Sequence, residues 1–216
     1  MSSALAPIVE VKPSMPADAV VRQMIQVLSS GGVIAFPTDT LYGIGCELGR
    51  AQAIERIQRM RDFDGAKRPL TFLLPDIGEL PHYATLSESA YRILSRIFPG
   101  PYCAELPATN RVPTPFLHEE RKTIGVRVPD HAVPLALLAE LGQPMISATL
   151  QMPGDDEPMN DPAEIRARLE KQLDLVVDGG PAPAQPTTVI DLTGGEPELV
   201  RLGRGDVERF GLSATL

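Results

Sequence analysis

Between residues 17 and 204, short apolar runs of strand length alternate with segments of helical period, an order that leaves few architectures open. Val21, Met24, Ile25 and Leu28 fall at helical spacing over Ala17 to Ser30, and Gly31 and Gly32 stop that segment as a left-handed cap would. GVIAFP (Gly32 to Pro37) reads as a buried strand, followed by the turn residues Thr38, Asp39 and Thr40 and a second strand at GIGCEL (Gly43 to Leu48). Ile54, Ile57 and Met60 mark a helix over Ala51 to Met60, after which the charged loop RDFDGAKR leads to a strand at PLTFLL (Pro69 to Leu74). Ser87 caps a helix that runs to about Phe98, with Leu86 and Tyr91 spaced as a hydrophobic staple and PGP ending it.

The second half repeats the alternation. TIGVRVP (Thr123 to Pro129) is a strand, Pro134 to Leu141 a helix closed by Gly142, and PMISATL (Pro144 to Leu150) a strand. Asp161, Pro162 and Glu164 spell a helix start: a capping carboxylate, a proline at the first helical position and an acid that can reach back. LDLVVDGG (Leu173 to Gly180) and TTVIDL (Thr187 to Leu192) read as strands joined by a Pro-rich loop, with ELVRLGRG (Glu198 to Gly205) as a last strand or turn. Several of these strands are joined by loops too short for a crossover, so the sheet is expected to be mixed. At 216 residues the chain is expected to be one α/β domain, with its core over about 17–204.

Charge and cysteine content narrow the functional classes. Net charge is -8, from 20 basic and 28 acidic residues, which argues against binding nucleic acid through bulk charge. Basic residues concentrate instead: Arg50, Arg56, Arg59, Arg61, Lys67 and Arg68 stand against Glu55, Asp62 and Asp64. Cys46 and Cys103 are too few for a disulfide framework or a thiolate metal site, and no basic n-region, apolar leader or bilayer-length run occurs. A cytoplasmic protein with no membrane partner is the expectation. His82, His118 and His131 lack metal-ligand spacing with either cysteine, so no metal site is expected, and GxxxxGK[ST] and GxGxxG are both absent.

Five clusters of hydroxyls, glycines and arginines flank these strands, where open α/β sheets place ligands: FPTDTLYGIG, Arg61 to Arg68, KTIGVRVP, SATLQMPG and PTTVIDLTGGEPELVRLGRG. Thr38 and Thr40 offer turn hydroxyls, and Gly43 and Gly45 would admit a ligand to the backbone; a turn that merely joins two strands accounts for the same residues. Arg61, Lys67 and Arg68 suit a triphosphate, or a solvated surface. Arg127 lies inside an apolar strand and needs a carboxylate or phosphate there, whether from a ligand or from an internal acid. Ser147 and Thr149 share one strand face pointing to a Gly-containing loop, a setting for phosphate or for purely structural hydroxyls.

In this order the five clusters resemble the YrdC/YciO family of threonylcarbamoyl-AMP synthases and their relatives, with KTIGVRVP, PMISATLQMPG and PTTVIDLT nearest the YciO branch. The resemblance implies an open, twisted mixed sheet with helices on both sides and a large concave, positively lined cavity. It implies an ATP-dependent nucleotidyltransferase that joins L-threonine and bicarbonate to AMP and releases pyrophosphate. The product serves tRNA adenosine modification, and magnesium accompanies the nucleotide. Carried over by motif, Thr38 and Arg127 hold the amino acid and Thr187 or Thr188 closes over it. Thr123, Ser147, Thr149 and Arg201 lie on the nucleotide side, and Arg61, Lys67 and Arg68 supply the catalytic cations. Two departures stand out: Arg61 occupies the expected lysine position, and Leu150 and Gln151 replace the Ala-Asn of a Ser-Ala-Asn run. A weakly or non-catalytic relative that binds nucleotide, double-stranded RNA or tRNA, and an enzyme of another phosphorylated compound, are the alternatives.

Overall fold

In a computed structural model, which describes residues 6–12, 14–61, 70–118 and 120–208, the strands are β1 (Ile8–Glu10), β2 (Ile34–Phe36), β3 (Gly43–Glu47), β4 (Thr71–Leu73) and β5 (Tyr102–Pro107). They continue with β6 (Thr123–Arg127), β7 (Met145–Thr149), β8 (Leu175–Asp178), β9 (Thr188–Asp191) and β10 (Glu198–Arg201). The α-helices are α1 (Asp18–Ser29), α2 (Ala51–Met60), α3 (Leu80–Tyr83), α4 (Glu88–Ile97), α5 (Ala132–Leu141) and α6 (Pro162–Leu169). They form two compact units, each drawn from two stretches of chain: Met1–Arg68 with His131–Ala184, and Pro69–Asp130 with Gln185–Leu216.

The first unit orders its strands β1-β8-β2-β3-β7. β8 runs parallel to β1 and β2, whereas β3 is antiparallel to both β2 and β7. Met24 and Leu28 of α1, Ile34, Phe36, Ile44 and Ile57 are fully buried and fill its core. The left-handed stop after α1 is present, with Gly31 at φ +83, and α5 ends on Gly142 at φ +63. Asp161 caps α6 by accepting from Ala163 and Glu164 N–H groups, but Glu164 does not reach back to the cap; its carboxylate meets Arg168 one turn on at 3.3 Å.

In the second unit the order is β4-β6-β5-β9-β10. β4 is parallel to β6 and β5 to β9, while β5–β6 and β9–β10 are antiparallel. Strand pairing within each unit is thus mixed, as the short connections require. Ser87 caps α4 through the Ala90 N–H at 3.1 Å. Phe72 packs edge-on against Phe116 with ring centroids 5.6 Å apart, and Leu80, Leu94, Leu106 and Val126 complete the buried layer. Among the described residues no helix is long and apolar enough to cross a membrane.

The glycines of β3 serve packing. A Cβ on Gly45 would stand 2.9 Å from Ile146 O, 3.0 Å from Phe36 Cε1 and 3.3 Å from Met145 Cε. One on Gly43 would meet Ser147 Oγ at 3.2 Å and Phe36 Cζ at 3.4 Å. What these positions admit closely is the Phe36 ring, together with Ile146 O and Ser147 Oγ, which gives both glycines a packing role. Gly45→Ala is expected to cost ~1–3 kcal/mol by overpacking a site with backbone on one side. A urea midpoint unchanged from wild type would contradict this.

Candidate functional site

The first unit gathers hydroxyls at one end of its sheet. The β2–β3 turn, residues 37–42, carries Thr38 and Thr40, and pairing of Gly43 with Thr149 and of Gly45 with Ser147 brings the end of β7 beside it. Thr38 is buried and its hydroxyl is committed within the turn: it donates to Leu41 O at 2.7 Å and accepts from Thr40 N at 3.1 Å. Thr40 Oγ1, 3.1 Å away, must then be the donor to Thr38, which fills the second lone pair. Turn formation alone therefore accounts for the Thr38 hydroxyl, and Thr40 keeps acceptor capacity. Ser147 is buried and Thr149 half-buried, on the face that Gly43 and Gly45 share. After β7, Gln151 donates to Asp155 O at 3.1 Å, closing its own loop. Arg61 ends α2, its N–H donating to Gln58 O. Lys67 and Arg68 lie outside the described residues.

The second unit presents a polar sheet face. Strand register places Thr71 of β4, Thr123, Gly125 and Arg127 of β6, Cys103 and Glu105 of β5, and Asp191 of β9 on one side. Phe72, Val126, Ala104, Leu106, Ile124 and Ile190 occupy the other, where the apolar core lies. Arg127 is only 8 % exposed, so its charge sits in a polarisable, partly desolvated setting in which an anion would be held strongly. Beside it, burial pushes the Cys103 thiol up, opposed by a contact to Thr71 Oγ1 at 4.0 Å and by the charges of Arg127 and Arg201. Cys103 is a neutral thiol, as is Cys46, pushed up to about 12 by burial; neither is a nucleophile at neutral pH.

Thr187 and Thr188 differ sharply. Thr188 is fully buried; its hydroxyl donates to Gly205 O at 2.7 Å and accepts from Gly203 N at 3.0 Å, pinning the LGRG segment to the start of β9. Gly203 is required there, because a Cβ would come within 2.5 Å of the Thr187 backbone. Thr187 Oγ1 instead accepts from Arg201 Nη2 at 2.9 Å, leaving its own proton to donate, while Arg201 also donates from Nε and Nη2 to Thr187 O. Thr188→Val is expected to destabilise by ~1–3 kcal/mol by stranding two backbone groups. Thr187→Val is expected to leave the unfolding midpoint nearly unchanged; equal losses in the two variants would refute the distinction.

Sequence reasoning missed Arg121, Glu105 and Asp191. Arg121 Nη1 bridges Glu105 Oε2 at 2.8 Å and Asp191 Oδ2 at 3.0 Å, pairing with both carboxylates on neighbouring strands and offsetting one of their two charges. The only available signal was the alternation of YCAELP and VID, which puts both acids on the Arg127 face once the strands are paired.

The Sua5/YciO/YrdC family model, described as telomere recombination, matches residues 26–203. The chain belongs to that family. YciO of Escherichia coli (strain K12), an uncharacterized protein, is 42% identical over 200 residues, spanning 93% of this chain and 97% of YciO. The crystal structure of E. coli YciO matches with a TM-score of 0.90 and 40% identity over 95% of this chain and 100% of that one. The threonylcarbamoyl-AMP synthase of Chromobacterium violaceum is 33% identical over 184 residues, 85% of this chain and 94% of the synthase. The crystal structure of P. abyssi Sua5 complexed with L-threonine matches with a TM-score of 0.81 and 26% identity over 91% of this chain and 57% of Sua5. The resemblance read from the five clusters, including its lean toward YciO, is borne out, as is the mixed α/β fold.

Proposed function

We propose that this member of the Sua5/YciO/YrdC family is an ATP-dependent L-threonylcarbamoyladenylate synthase whose product feeds tRNA adenosine modification. The observation that carries the reading is the 33% identity, over 85% of this chain, to a threonylcarbamoyl-AMP synthase. In this reading the threonine amine adds to bicarbonate to give a carbamate and water. A carbamate oxygen then attacks the α-phosphorus of ATP; the bond to the bridging oxygen breaks and pyrophosphate leaves.

The chain's own residues would bind and orient. Arg127 takes the threonine carboxylate, the hydroxyl of Thr187 donates to the amino acid, and the Thr38 turn shapes its seat. Thr123, Ser147, Thr149 and Arg201 hold the nucleotide, and Arg61, Lys67 and Arg68 draw off charge developing on the phosphates. Reactions of this class need positioning and electrostatic stabilisation of spread negative charge, which arginines and hydroxyls supply without a protein nucleophile. Among the described residues no group of three or more His, Cys, Asp or Glu side chains fits a metal ion, and the Glu105 and Asp191 carboxylates are both already paired with Arg121. Magnesium would therefore arrive on the phosphates, whose charge it offsets.

The test is pyrophosphate release by the purified protein supplied with ATP, magnesium, L-threonine and bicarbonate. Release that needs both threonine and bicarbonate is expected. Release no greater than a protein-free blank would end the proposal.

A further inference from the structure

The turn that carries Thr38 and Thr40 is held in place by a residue distant in sequence from what it grips. Within the turn, the Thr38 hydroxyl bonds only to near neighbours, Thr40 and Leu41. Tyr42, at its end, is fully buried, and its hydroxyl donates to Gly180 O at 2.9 Å while accepting from Gly179 N at 3.2 Å. Asp178 Oδ1 accepts from Gly180 N at 2.9 Å and fixes the same loop from its strand end. At the start of the turn Pro37 rests on Gly179, where a Cβ would come 2.8 Å from Pro37 Cγ. Gly180 sits at φ +80, a conformation that suits glycine. Both ends of the turn are thus seated on the Gly179–Gly180 pair that follows β8, and the phenol is a hydrogen-bonded hub in a buried setting.

We infer that Tyr42 is a positioning residue that, through Gly179 and Gly180, sets the Thr38–Thr40 turn for the amino-acid substrate; this rests on the function proposed above. Tyr42 touches no substrate in this scheme. Its effect reaches the reaction through the turn, so losing the hydroxyl should loosen substrate binding and leave the chemical step nearly intact.

Tyr42→Phe keeps the ring and removes the hub. The expected result is a rise of about tenfold in KM for threonine with kcat within about threefold, since a buried hydrogen bond is worth about that factor. Hydrogen exchange gives a readout free of substrate: the Thr40 amide, which donates to Thr38 Oγ1, should exchange about tenfold faster while amides in the middle of α1 keep their rates. Asp178→Ala, which releases the same loop from the other side, should move both readouts in the same direction and keeps the test available should Tyr42→Phe fold poorly. An unchanged Thr40 rate and KM, or a uniform acceleration of all amides that tracks a lower urea midpoint, would overturn the inference. If the wild-type protein releases no pyrophosphate, the functional reading falls, and the Thr40 exchange rates alone decide whether Tyr42 sets the turn.

Discussion

Arg127→Ala is expected to lower threonine-dependent pyrophosphate release by about 10²–10³-fold, the effect of deleting a desolvated, charge-assisted clamp on a substrate carboxylate. Arg127 lies on the polar face of the second unit's sheet, flanked by Cys103 and Leu73 in register, so its guanidinium is directed by strand geometry rather than by a loop. Arg127→Lys keeps the charge but loses the planar fork, and should recover only part of the rate. The loss should appear mainly in KM for threonine if the carboxylate is gripped equally in the ground and transition states. A variant that unfolds several degrees lower yet retains full turnover would assign Arg127 to structure instead.

The second large effect is alkaline destabilisation. Burial pushes the Cys46 thiol from its ordinary 9.0 to about 12 and the Tyr42 phenol from 10.0 to about 12, Tyr42 being raised further by Asp178 and Asp161 against the lowering by its Gly179 bond. In the unfolded chain these protons leave near the ordinary values, whereas the folded protein keeps them to about 12. Between those limits the unfolded state binds fewer protons, so stability is complete below pH 9 and falls as pH rises toward 12. Each group adds a slope approaching about 1.4 kcal/mol per pH unit once its unfolded form is ionised. Cys103, also raised by burial, acts in the same sense. Urea unfolding from pH 8 upward checks it, with Cys46→Ala expected to remove one group's slope whatever it does to absolute stability. Identical slopes in the two proteins would show that Cys46 ionises as freely folded as unfolded.

Much of the fold is legible because local chemistry dictates it. Ser87 and Asp161 announce helix starts, Gly31 and Gly142 announce stops, and TIGVR and MISAT read as strands because their period and branching leave little choice. β1 and β5 escape the reading for physical reasons. IVE is three residues long and takes its meaning from β8 at the far end of the chain, and YCAELP carries a proline and a glutamate because one of its faces is polar. The candidate site is legible by residue type and not by partner. That Thr188 clasps Gly203 and Gly205 and that Tyr42 reaches Gly180 are facts of pairing between residues distant in sequence, which single-sequence periodicity does not encode.

The position of β8 governs how the first unit can come into being on a ribosome. Ile8 pairs with Val176 and Ile34 with Leu175, so β8 lies between β1 and β2, and neither early strand has that neighbour until synthesis has passed Leu175. Loop closure over such separations is entropically slow. A nascent chain arrested near residue 130 would expose the apolar Ile34–Phe36 edge with nothing to pair it, a species prone to self-association and in need of a chaperone.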